Sequence, residues 1–60
     1  MTVCLWSKTR ADWITVENAT SVERYQARCN GRITWCWLVR TSNGSKTFKC
    51  KDVDLVSVSA

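Results

Sequence analysis

The chain has 60 residues, 45% of them hydrophobic and 23% charged, the composition of one globular domain, which excludes a disordered tail and two separate cores. Nine Lys and Arg against five Asp and Glu give a net charge of +4, and histidine is absent. Without the usual general base no enzyme is expected, and no apolar run approaches the ~20 residues that span a bilayer, so no membrane contact is expected either.

In chain order, residues 1–12 predict an N-terminal arm or an extra strand, with Val3-Cys4-Leu5-Trp6 as its apolar part. They lack a basic leader followed by a long apolar stretch, so no signal peptide is expected, and the expected compartment is the cytoplasm. Trp13-Ile14-Thr15-Val16-Glu17-Asn18 alternates as a first strand and ends at a polar loop, Asn18-Ala19-Thr20-Ser21. Next come two Asn-Gly pairs, Asn30-Gly31 and Asn43-Gly44, flanking a stretch rich in β-branched and aromatic residues, Arg32 to Thr41. Asn-Gly is the strongest short-range hairpin signal because both residues tolerate positive φ. Two turns around one strand predict a three-stranded antiparallel meander over about residues 22–51.

The register of this meander can be chosen by asking which pairing gathers apolar side chains on one face. A two-residue turn at Asn30-Gly31 opposes Gln26 to Trp35 and Arg24 to Trp37, a poor mixture. A three-residue loop, Cys29-Asn30-Gly31, opposes Tyr25 to Trp35 and Ala27 to Ile33, and is the expected register. With a two-residue turn at Asn43-Gly44, Trp37 then opposes Cys50 and Val39 opposes Phe48. Tyr25, Trp35, Trp37 and Phe48 would fill a core, and the other face would carry Arg24, Arg28, Arg32, Arg40, Lys49 and Lys51 with no acid. From Arg24 to Lys51 the sequence has seven bases and no carboxylate; the five acids are Asp12, Glu17, Glu23, Asp52 and Asp54.

After the meander, Asp52-Val53-Asp54-Leu55 predicts a short helical turn and Val56-Ser57-Val58 a closing strand. The expected fold is all-β: a small five-stranded barrel over residues 13–58, within a single domain of residues 1–60. The four cysteines, at 4, 29, 36 and 50, include no closely spaced pair of the kind that holds zinc, so neither metal nor cofactor is expected. Cys36 and Cys50 point to opposite faces, and reduced thiols packed as small hydrophobes are expected.

The order of elements from residue 13 to residue 58, with Asp52-Val53-Asp54-Leu55 before the last strand, resembles the SH3-like barrels of Tudor and KOW type. That resemblance implies a binding module for RNA, DNA, proteins or modified tails. Trp13 to Ala19 is also similar to the opening of small excisionase-type winged helices, but the eleven residues Ala19–Cys29 are too few for a turn and a recognition helix. The expected function is a small basic module that binds nucleic acid, with little sequence preference, through phosphate contacts at Arg24, Arg28, Arg32, Arg40, Lys49 and Lys51. Trp6 and Trp13 are the candidates for base stacking. The alternative is a protein-interaction adaptor or inhibitor that docks its basic face on an acidic protein partner.

Overall fold

Asn30 and Gly31 both take positive φ, 52° and 77°, the backbone of a two-residue type I′ hairpin turn. In the computed structural model, which describes residues 1–60, this turn joins two of six strands: β1 (Thr2–Ser7), β2 (Asp12–Val16), β3 (Ala19–Cys29), β4 (Arg32–Thr41), β5 (Gly44–Lys49) and β6 (Val53–Ser59). They form two antiparallel three-stranded sheets, ordered β2-β1-β6 and β3-β4-β5.

The expected five-stranded barrel is overturned. Residues 2–7 supply the centre of the first sheet, so that sheet is complete without closing onto the meander. Main-chain hydrogen bonds join the two sheets at one corner, where the Ala19 N–H donates to Met1 O at 2.7 Å and the Met1 ammonium donates to Ala19 O at 2.9 Å. The expected helical turn at 52–55 is also absent. The Asp52 N–H closes a tight turn on Lys49 O at 3.0 Å, and Val53 already begins β6. Val53 and Leu55 alternate with Asp54 at the period of a strand, which turns both apolar chains toward the core.

The core lies between the sheets. Val3, Leu5, Val16 and Val53 come from the first sheet and Ala19 and Val39 from the second, with Ile14, Val22, Trp37, Phe48 and Leu55 packed around them. Ser7 is buried too, but its hydroxyl lies 3.3 Å from that of Thr9 and accepts the Arg10 N–H at 3.3 Å, so it anchors the β1–β2 turn. The Trp37 indole N–H reaches across to Val53 O at 3.2 Å and ties β4 to the start of β6.

The second meander turn falls one residue earlier than expected, at Ser42-Asn43, with Thr41 opposite Gly44 and Trp37 opposite Phe48. The Thr41 hydroxyl fixes it by accepting from the Asn43 N–H at 3.2 Å and donating to Gly44 O at 3.0 Å. This slides β5 by two residues, and a shift of two keeps every side chain on its expected face.

Leu5 is fully buried at the centre of the first sheet. Leu5→Ala is expected to cost about 2–5 kcal/mol, most of the margin of so short a chain. The check is a urea titration, in which the unfolding midpoint falls sharply; a midpoint within experimental error of the parent would mean that β1 is a dispensable arm.

Candidate nucleic-acid interface

The β3–β4 hairpin is longer than the sheet above it. An eleven-residue strand runs roughly 36 Å and a six-residue strand roughly 20 Å, and the molecule measures 36 × 26 × 15 Å. The end of the hairpin beyond Trp37 therefore has no opposing layer, and Ile33 and Trp35, on the core side of β4, are 55% and 43% exposed.

Register decides what stands beside them. Arg24 opposes Trp37, Gln26 opposes Trp35, and Arg28 opposes Ile33, the pairing that sorting by hydrophobicity disfavours. The turn outweighs the sorting, because two adjacent residues in left-handed conformation close a two-residue loop and leave no room for a bulge. One residue of slip flips β3. Arg24 and Arg28 therefore share the face of Trp35 and Trp37, while Tyr25 moves to the outer face opposite Cys36, whose partner on β5 is Lys49. The expectation that all six cations share one face is corrected accordingly. Arg32, Arg40 and Lys49 lie on the outer face, Arg24 and Arg28 on the other, and Lys51 in the turn after β5.

All six are exposed, and none has a carboxylate within ion-pair distance, since the one ion pair of the molecule joins Lys8 to Asp54 at 3.4 Å. The second sheet carries Arg24, Arg28, Arg32, Arg40, Lys46 and Lys49 against Glu23 alone. Asp12, Glu17, Asp52 and Asp54 belong to the first sheet and its connections. Lys8, Arg10 and Lys51 lie outside the second sheet with those four acids, so the net positive charge resides on the second sheet.

At the overhang, the Arg24 guanidinium carbon sits 4.4 Å from the centre of the Trp35 ring, a cation–π stack that fixes the ring's orientation. A shallow concavity of about 400 Å³ lies beside it, lined by Ile33, Thr34, Trp35, Cys50 and Lys51. The Cys50 N–H donates to Trp35 O at 2.9 Å and holds the two walls together. Burial pushes the Cys50 thiol up; Arg24 and Lys8 oppose that shift and Cys36 adds to it. The thiol is therefore neutral at physiological pH and presents an apolar wall.

Trp6 and Trp13 stand opposite each other on the outer face of the first sheet, their rings edge to face at 5.0 Å and 70°, with Asp54 next to Trp6 across the sheet. They are not brought together with the cations of the second sheet. Trp35 is the aromatic that is, and sorting by hydrophobicity sent it inward. The signal that would have found it is the preference of Asn-Gly for a two-residue loop, together with the mismatch in strand length. No protein-family model, curated protein or solved structure matches the chain.

The shift at Cys50 gives stability a pH dependence of known sign. A thiol whose folded pKa is raised favours the fold fully below its unfolded value of about 8.5, and that contribution is lost as pH rises through the folded pKa. Cys50→Ala is expected to flatten the decline in unfolding midpoint above about pH 8.5 relative to the parent. The two profiles, measured in urea, should keep a constant offset through neutral pH and lose their parallel course only at alkaline pH; profiles parallel throughout would refute the assignment.

Proposed function

We propose that the chain is a small basic module that binds nucleic acid, its phosphates held by the cations of the β3–β4–β5 sheet and its hairpin. The observation that carries this reading is the confinement of six unpaired Arg and Lys side chains to one sheet with a single acid. Four of the six are arginines, whose forked donors suit phosphate oxygens. Because the cations lie on both faces of the hairpin, the polyanion would follow its end and edges and would not lie flat on one side. The exposed side chains of the sheet and hairpin are mainly cations suited to phosphates, and phosphate contacts carry no sequence information, so sequence preference is weak. We place the module in a reducing compartment, the cytoplasm, consistent with its four free thiols.

Binding of the intact chain to oligothymidylate and to a duplex, followed by fluorescence anisotropy across a salt series, tests this. With roughly three to six phosphates engaged, log K against log salt should fall with a slope of about −2 to −4 on the single strand. The double variant Arg40→Glu/Lys49→Glu should weaken binding to both probes and flatten the slope while leaving the unfolding midpoint near that of the parent. If the parent binds neither probe at low salt, the reading falls and an acidic protein partner takes its place.

A further inference from the structure

The geometry points to a base-stacking subsite at Trp35: we infer that the concavity at the end of the β3–β4 hairpin takes an unpaired nucleobase, making single-stranded nucleic acid the preferred ligand. This rests on the nucleic-acid reading above and adds a base to what was otherwise a set of phosphate contacts.

Three features favour a base at this position. Trp35 is a large aromatic left 43% exposed in a chain too small to leave such a side chain out of its core without cost. Its ring is already oriented by the Arg24 guanidinium at 4.4 Å, so stacking a planar ligand there loses little further side-chain freedom. The concavity beside it is lined by the apolar Ile33 and Cys50 together with Lys51. A base would meet the indole and the apolar walls while its flanking phosphates meet Lys51, Arg24 and Arg28. A duplex keeps its bases inside the stack and offers this site phosphates only, so the site discriminates in favour of single strands. An acidic peptide would satisfy the cations and leave the ring unused.

The test uses the full chain with oligothymidylate of about 12 nucleotides, inside the usual range of site sizes, a duplex of the same length, and polyglutamate as competitor. Trp35→Ala should weaken single-strand binding roughly 5- to 150-fold, the range for one stacked base, and leave duplex binding unchanged. Trp35→Phe should retain most of the affinity but lose the part of the tryptophan quenching that oligothymidylate causes in the parent. This second variant keeps the test open if Trp35→Ala fails to fold. Binding by Trp35→Ala equal to the parent's, or quenching unchanged in Trp35→Phe, would overturn the subsite and leave the phosphate reading standing. Polyglutamate that competes as well as oligothymidylate and depends equally on Trp35 would overturn the choice of a base. Failure of the parent to bind any nucleic acid would remove the underlying reading and the subsite with it.

Discussion

The turn at Asn30-Gly31 governs the rest of the molecule. With both residues at positive φ, the loop has two residues, and the loop length fixes the register of β3 against β4 along its whole length. Strand side chains alternate, so the turn decides by parity which half of β3 faces the core. Near the base of the hairpin this is favourable, because Val22 comes to lie beside Val39. Farther out the same parity carries Arg24 and Arg28 onto the core side, next to Trp37 and Ile33. Two guanidinium groups are tolerated there because the first sheet ends before it reaches them and their heads stay in water. The aliphatic stem of arginine can also lie along an aromatic ring while its head remains solvated.

The overhang follows from how little chain is available. The buried core amounts to six residues, with partly buried neighbours around them, and the six-residue β1 covers only the near half of β3 and β4. Trp37 stands at the border. Its ring packs against the core and its N–H is satisfied by Val53 O, so it closes the sandwich where the first sheet stops. Trp35, two residues on, is past that border. Burying it would require a longer first sheet or a third layer. Left as it is, it stands with Ile33 as an exposed apolar pair framed by cations.

Much of this was legible in the residues. The all-β class, the meander and the faces of β4 and β5 follow from two Asn-Gly pairs and the alternation between them, and the opposite orientation of Cys36 and Cys50 follows from parity. The errors have specific physical causes. Sorting Tyr25 and Ala27 with Trp35 and Ile33 assumed that one face of a strand is buried from end to end, whereas β3 outruns its cover, so the turn was the better guide to register. Asp52-Val53-Asp54-Leu55 has acids that suit a helical turn, but its valine and leucine need the period of two to reach the core. The barrel failed because Val3 and Leu5, which carry no turn signal of their own, form the most buried strand of the molecule.

The same partition of residues between sheets bears on how a ligand would arrive. The second sheet holds six cations and one acid, while the first sheet and its connections are close to neutral, so the molecule is an electrical dipole with its positive end on the hairpin. A polyanion is drawn to that end and turned toward it before any contact forms, which raises the encounter rate at low salt and loses that advantage as screening increases. The aromatic pair Trp6–Trp13 sits on the opposite sheet beside Asp54, where the field does not favour an anion. Trp35 sits among the cations of the hairpin and beside an apolar concavity that Lys51 also lines. In the proposed reading, steering and stacking would act at one place on the fold, and both would originate in the register that a single Asn-Gly turn imposes.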